Sequence, residues 1–300
     1  MQPVFPAIRQ LVPSHPAWPG QLAELDTPPV RLALRGELPG LSRAVAIVGT
    51  RNSDARADEF TRALAAELAQ AGCAIVSGGA RGIDTAAHRG ALDVGGRTVA
   101  VLATGLEAPY PRHNRILFSE IAERGALLSE TEEQVPGFAS AFLARNRLIA
   151  ALASVVIVVQ APNKSGALST AAHASKLGRP LMAVPHAPWE RRGEGCLALL
   201  ANGARVCRSS ADVLSLAAPT GVKPPRPPPR RPKKAASYPD LDEDERGVIE
   251  ALGTATLSAD ELCESTGLSA PRVQRAVLML LLSRVIQEVG CGRYARIDQF

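Results

Sequence analysis

The chain has 300 residues, 46% of them hydrophobic, enough for a core and more than one small domain needs, so two units are expected. Lys and Arg number 34 against 29 Asp and Glu, a formal charge of +5 that suits a nucleic-acid partner without requiring one. Scattered cysteines (Cys73, Cys196, Cys207, Cys263, Cys291), a start without a signal-peptide pattern and no apolar run of membrane-spanning length argue against a disulfide framework, a zinc site, secretion and a membrane span, and for a reducing cytoplasm.

Residues 1–43 are rich in proline (His15-Pro16, Trp18-Pro19, Pro28-Pro29) and read as an irregular, extended lead-in packed on the main domain. From residue 44 to 217 apolar strands alternate with helices. Strands are predicted at Ala44–Val48, Cys73–Ser77, Arg97–Ala103, Ala126–Glu130, Val155–Ala161 and Pro180–Pro185. Helices are predicted at Asp54–Ala71, Ile83–Val94, Arg112–Arg124, Ala139–Ala153 and Ala167–Leu177. Continuous apolar strands separated by helices predict an α/β fold, a doubly wound, Rossmann-like, mostly parallel sheet covered on both faces.

The first strand-to-helix turn, Val48-Gly49-Thr50-Arg51-Asn52, has one glycine and no acidic residue placed for a ribose, so it is not a dinucleotide fingerprint; no P-loop occurs either. Arg51 stands at the carboxyl end of its strand, where open α/β sheets bind ligands, although alone it reads equally as a surface arginine.

The second turn, Ser77-Gly78-Gly79-Ala80-Arg81-Gly82-Ile83-Asp84, is too rich in glycine for an ordinary connection. Glycines at a strand end and helix start are expected to offer unpaired N–H groups to a phosphate. Asp84 and His88, at i and i+4, form either an acid–base pair or a carboxylate that binds the helix's own free amides with His88 packed beside it.

Two further clusters carry charge. Phe142-Leu143-Ala144-Arg145-Asn146-Arg147 lies in a helix, with Arg145 and Arg147 about 200° apart, so one can hold phosphate while the other pairs inside the domain. Asn163-Lys164-Ser165-Gly166-Ala167-Leu168-Ser169-Thr170 follows a strand directly and reads either as an anion cradle or as a polar loop with ordinary capping. Arg51, Arg81, Arg145 and Lys164 are expected to line one basic groove. No nucleophile, general base or metal set stands beside them, so binding without catalysis or cofactor is expected.

Residues 218–240 are a proline-rich, basic linker (Lys223, Arg226, Arg230, Arg231, Lys233, Lys234), either a solvated tether or a strip that touches nucleic acid. Over 241–300, helices at Asp242–Leu252, from Ser258 (capping box with Glu261, stop at Gly267) and at Arg272–Ser283 precede strands Val285–Val289 and Arg293–Ile297, joined at Gly290-Cys291-Gly292. Three helices and a hairpin predict a winged helix. Arg272, Gln274, Arg275, Arg293 and Arg296 are candidate contacts to duplex DNA. The acidic run Asp242–Glu245 favours a protein-interaction module instead.

Five motifs in order also resemble the bacterial DNA-processing protein A (DprA/Smf) family. They are Val45-Ala-Ile-Val-Gly49-Thr-Arg51; Ser77–Asp84 with His88; Val101–Leu106 with Tyr110-Pro111; Arg145-Asn-Arg147; and Ser165–Thr170. The resemblance runs from about His15 to Leu216. It implies an extended Rossmann domain, a homodimer, single-stranded DNA bound without catalysis, protection of incoming strands in natural transformation (competence), and help in loading RecA recombinase. It implies that Arg51, Gly78, Gly79, Arg81, Gly82, Phe142, Arg145, Asn146, Arg147, Lys164, Ser165, Gly166, Ser169 and Thr170 shape the DNA pocket, with Phe142 a base-stacking candidate. The chain departs from the family at Pro185-His186, where Pro-Gly is usual, and in the following Ala-Pro-Trp189-Glu-Arg-Arg; Leu143 replaces a usual proline. The competing reading is a nucleotide-hydrolysing, phosphoribohydrolase-like Rossmann enzyme, whose glycine turn is followed by a glutamate that this chain lacks.

Overall fold

The computed structural model describes residues 5–131, 139–216, 241–253, 255–283, 285–289 and 292–296. The chain divides into two compact units, Met1–Pro225 and Arg226–Phe300. The proposed linker contacts at 218–240, the tip residues Gly290 and Cys291, and Ile297 lie outside the described residues.

In the first unit the order is β1 (Ile8–Leu11), β2 (Leu32–Gly36), β3 (Val45–Val48), α1 (Ala55–Gln70), β4 (Ile75–Ser77), α2 (Ile83–Asp93), β5 (Thr98–Leu102), α3 (Arg115–Arg124), β6 (Ala126–Ser129), α4 (Ala139–Leu152), β7 (Val155–Val158), α5 (Ala167–Lys176), β8 (Leu181–Ala183), α6 (Glu194–Ala201), β9 (Arg205–Val206) and α7 (Ser210–Leu214). Among the described residues these strands form one nine-stranded sheet, ordered β1-β2-β6-β5-β4-β3-β7-β8-β9. All neighbours from β6 to β9 pair in parallel, whereas β1–β2 and β2–β6 are antiparallel.

The sequence pattern explains the middle of this sheet. Val45–Val48 and Val155–Val158 are buried at every position, as strands covered on both faces must be. One face packs Leu64, Ala65 and Leu68 of α1 with Ile83, Ala87 and Ala91 of α2. The other packs Leu148, Ile149 and Leu152 of α4 with Ala171 and Ala174 of α5. Asp54 starts α1 by accepting the Ala57 N–H at 2.9 Å.

The lead-in differs from the irregular segment expected of it. Pro13, Pro16, Pro19, Pro28 and Pro29 fall between ordered pieces: β1, a 3-10 turn at Gly20–Glu24, and β2. Leu11, Leu22, Leu32 and Leu34 are fully buried, so this segment extends the core. The stretch Arg112–Arg124, expected as one helix, opens with a 3-10 turn at Arg112–Asn114 before α3. There the Asn114 amide donates to the Gly79 carbonyl at 3.0 Å and to Thr85 Oγ1 at 2.9 Å.

The second unit contains α8 (Glu243–Leu252), β10 (Leu257–Ser258), α9 (Ala259–Thr266), α10 (Ala270–Leu282), β11 (Ile286–Glu288) and β12 (Arg293–Arg296). Capping boxes at Asp242/Glu245 and Ser258/Glu261 start α8 and α9, and Gly267, in the left-handed region, ends α9. Val248, Leu252, Leu262, Val273, Ala276 and Leu280 form its core. The hairpin pairs Ile286 with Arg296; β10 adds a third strand that the sequence reading missed. Three helices and this small sheet are a winged-helix arrangement.

Candidate functional site

In this sheet β3 lies between β4 and β7, so the chain leaves it in opposite directions. The loops after β3 and β7 therefore part around a crevice, the place where open α/β sheets hold ligands. The two loops are braced together. Thr50 N–H donates to the Gln160 carbonyl at 2.7 Å, and the Gln160 amide donates to Asp54 Oδ2 at 2.6 Å. That amide, with the Ala57 N–H, holds the Asp54 carboxyl below its ordinary range.

The crevice is a cavity of about 1300 Å³ whose lining includes Arg51, Arg112, Arg115 and Arg145, with Asp84 and Glu107 as its carboxylates. Arg51, Arg112 and Arg115 are exposed. Glu107 is drawn to the buried Arg35 at 3.7 Å. Phe142 stands on the wall with the Arg51 guanidinium over its ring at 4.9 Å, and Tyr110 meets it edge-on at 6.0 Å and 71°. Tyr110 is half exposed, more so than Phe142, and both line the crevice.

Arg145 is buried. It donates to the carbonyls of Gly78, at 2.8 Å, and Val101. Burial lowers its pKa to about 10, opposed by Asp84, and it stays charged at neutral pH. Asn146 turns its amide to the Gly166 carbonyl at 3.0 Å, fixing the loop that carries Ser165 and Gly166 into the cavity.

The glycine turn is packed closely by its own domain. Ala80 N–H donates to Asp84 Oδ2 at 3.2 Å, the Gly78 amide also favours that carboxylate, and the Ser77 hydroxyl donates to the Ile47 carbonyl at 2.6 Å. Burial raises the Asp84 pKa against these donors and against Arg145. A side chain on Gly78 would collide with Arg145 and Asp84, one on Gly79 with Phe118, and one on Gly82, at φ 71°, with the Thr50 carbonyl 2.4 Å away. The glycines admit this close approach of protein atoms. Of the two readings of Asp84 and His88, the structural one holds. His88 is fully buried, its Nδ1 2.7 Å from Thr98 Oγ1, and burial drives its pKa down to about 3.

The cavity brings together part of the expected groove. Arg51 and Arg145 line the cavity together with Phe142, Asn146, Ser165, Gly166 and Thr170; Arg81, Arg147, Lys164 and Ser169 do not. Arg147 makes a two-pronged pair with Glu130 at 2.7 Å, so both arginines of that cluster are engaged by protein. Lys164 sits at the tip of a turn closed by Ser165 N–H to the Pro162 carbonyl, and Arg81 on the exposed turn between Ala80 and Gly82. Ser169 lies about 100° around α5 from Thr170. The sequence reading missed Tyr110, Arg112 and Arg115. Their signal was position: they follow β5, at the rim that Arg51 occupies after β3.

In the second unit Arg272, Arg275 and Arg293, among the candidate duplex contacts, are paired. Arg272 reaches Asp244 through Nε at 3.0 Å, and Arg275 reaches Asp242 at 3.0 Å and Asp244 at 3.1 Å. Arg293 meets Glu261 at 2.9 Å and the Thr256 carbonyl at 2.7 Å. Arg272, then Arg275, holds the Asp244 carboxyl below its ordinary range. No group of three His, Cys, Asp or Glu placed for a metal is present among the described residues, and no helix among them is long and apolar enough to cross a membrane.

A doubly wound α/β sheet with an arginine-lined crevice at its switch point, carried with a winged helix, defines a protein of the Rossmann type. The chain belongs to the DNA recombination-mediator protein A family, whose model matches residues 9–218; a DprA winged helix domain matches residues 232–290. Protein Smf of Synechocystis sp. is 42% identical over 210 residues, 68% of this chain and 53% of that protein, so the chain spans about half of that relative's length. Among solved structures, DNA processing protein A of Streptococcus pneumoniae aligns with a TM-score of 0.65 at 35% identity, over 69% of this chain and 73% of that one. That of Helicobacter pylori, described for a single-stranded DNA binding mode, aligns at 0.63 and 35%, over 70% and 96%.

Proposed function

We propose that this chain binds single-stranded DNA in the switch-point crevice and serves, without catalysis, as a recombination mediator. It protects incoming strands in natural transformation and helps load RecA, acting in the cytoplasm as a homodimer whose two crevices raise avidity on one strand. The convergence of exposed Arg51, Arg112 and Arg115 around the Tyr110–Phe142 pair carries the reading. Cations hold the sugar-phosphate backbone and a ring accepts a base. Family membership and the binding mode described for the H. pylori relative support it. Asp84 and His88, the acid–base candidates, are buried and engaged by their own domain, which disfavours a hydrolase.

The test is fluorescence anisotropy of a labelled oligonucleotide across a salt series. Three phosphates held by exposed arginines give a log–log slope of about −2 for a single strand. Arg51→Glu abolishes binding. Unchanged affinity in Arg51→Glu, or a flat salt dependence, defeats the assignment. RecA loading is read separately, as recombinase filament formation on strands coated by a single-strand binding protein.

A further inference from the structure

The loop after β8 lines no part of the crevice. It runs Pro185-His186-Ala187-Pro188-Trp189-Glu190-Arg191-Arg192. Trp189 is 85% exposed, whereas the chain's other tryptophan, Trp18, is partly buried against the main core. Single exposed apolar residues are ordinary. This ring differs because the loop presenting it is fixed, sits on the binding rim and carries cations.

Several contacts fix the loop. His186 Nε2 donates to the Val159 carbonyl at 2.8 Å, Glu190 N–H to the Ala187 carbonyl at 2.9 Å, and Gly193 packs so tightly on the His186 ring that a Cβ there would lie 2.2 Å from it. Its place is set by the sheet. β8 pairs in parallel with β7, so the loops after both strands leave the same edge. The loop abuts the crevice wall from outside: Arg192 is 4.0 Å from Asp54, and Gly195 N–H donates to the Ala161 carbonyl beside the cavity-lining Pro162. Arg191 is exposed and makes no ion pair among the described residues. Lys164, on the neighbouring loop, lies exposed along the same rim.

Resting on the crevice reading, we propose that the single-stranded track continues out of the crevice over this rim, with Trp189 stacking on a base and Arg191 holding a phosphate. Indole on a base and guanidinium on a phosphate are the pairings that sequence-independent single-strand binding uses.

The full chain tests this with labelled oligothymidines of about 6 and about 20 nucleotides, a short strand that the crevice alone accommodates and a longer one that overruns it. Trp189→Ala and Arg191→Glu each weaken the long strand about tenfold and leave the short one within about twofold. Tryptophan emission of the wild type is quenched by the long strand, and the quench disappears in Trp189→Phe. Thermal midpoints of both affinity variants stay at the wild-type value, since the changed side chains are exposed. If both variants match the wild type at both lengths while Arg51→Glu abolishes binding, the extension is wrong and the crevice stands. If Arg51→Glu binds both strands normally, the crevice reading itself fails.

Discussion

Arg145 fills the space that a side chain on Gly78 would need: its Nη2 lies 2.5 Å from where a Cβ would be, and its Nη1 donates to the Gly78 carbonyl at 2.8 Å. Asp84 Oδ2 stands 2.7 Å from the same point. The glycine turn and the arginine on α4, 67 positions apart in the chain, are thus one buried unit. Gly78→Ala is expected to destabilise the first unit by about 1–3 kcal/mol, because rigid neighbours must move. Arg145→Leu strands the Asp84 carboxyl and two carbonyls, and is expected to cost about 3–5 kcal/mol. Denaturant midpoints read both. A loss under 1 kcal/mol in Arg145→Leu, judged on the scale of a typical single substitution, would remove the unit's structural role.

His88 gives this unit an acid limb. Thr98 Oγ1 donates to the Ile75 carbonyl, so it accepts from His88 Nδ1, while the buried Nε2 has no partner. Burial, then Arg145, lowers the His88 pKa from 6.5 to about 3. Between those values the unfolded chain takes a proton that the folded chain refuses. The His88 contribution is therefore intact above 6.5 and falls by about 1.4 kcal/mol per pH unit on acidification. His88→Asn should flatten that limb relative to wild type. Asp84, shifted upward by burial, slopes the opposite way in both proteins and largely drops out of the difference. Parallel stability curves for the two proteins would rule the mechanism out.

The parallel sheet was legible because β3 and β7 are unbroken apolar runs and each succeeding helix carries a clear apolar stripe. β1 and β2 were not, because β2 pairs with β6, which lies about ninety positions away, and proline-rich surroundings hid two short strands. Arg51 was legible from its position at a strand end. What sequence alone hid was competition for charge. Nothing in Arg145-Asn-Arg147 says that one arginine is claimed by backbone carbonyls and the other by Glu130, and nothing in the glycine turn says that Asp84 takes the Ala80 amide.

The crevice arginines outside the motifs supply a third expectation. Arg112 and Arg115 are exposed on the cavity lining, whereas Arg81 is exposed off it. Arg112→Ala and Arg115→Ala should each reduce the salt slope of single-strand binding by about 0.7, and Arg81→Ala should change it less. Tyr110→Ala should weaken a base-bearing strand several-fold more than an abasic strand of the same length, at about 1–3 kcal/mol for a lost stack. Equal slopes in Arg81→Ala and Arg112→Ala would move the phosphate path off the cavity.

The winged helix supplies the last. Its strongest duplex candidates, Arg272 and Arg275 on α10, face the carboxylates of Asp242 and Asp244 at the start of α8. Base readout needs a guanidinium free to aim two N–H groups at a base edge, and here those groups are already taken. The two arginine side chains are more than half exposed, so salt reaches the pairs, whereas the Asp244 side chain that both meet is buried. Their effect is to cancel the charge that would draw a duplex. Asp242 also caps α8, so Asp244→Asn is the cleaner probe. It should raise duplex affinity several-fold at low salt, because removing one anion frees two cations, and leave single-strand affinity in the crevice unchanged. Arg272→Ala in the wild type should leave duplex affinity where it is. Were Arg272→Ala instead to lower duplex affinity about tenfold, in the range of a lost base contact, α10 would be reading DNA despite the carboxylates beside it.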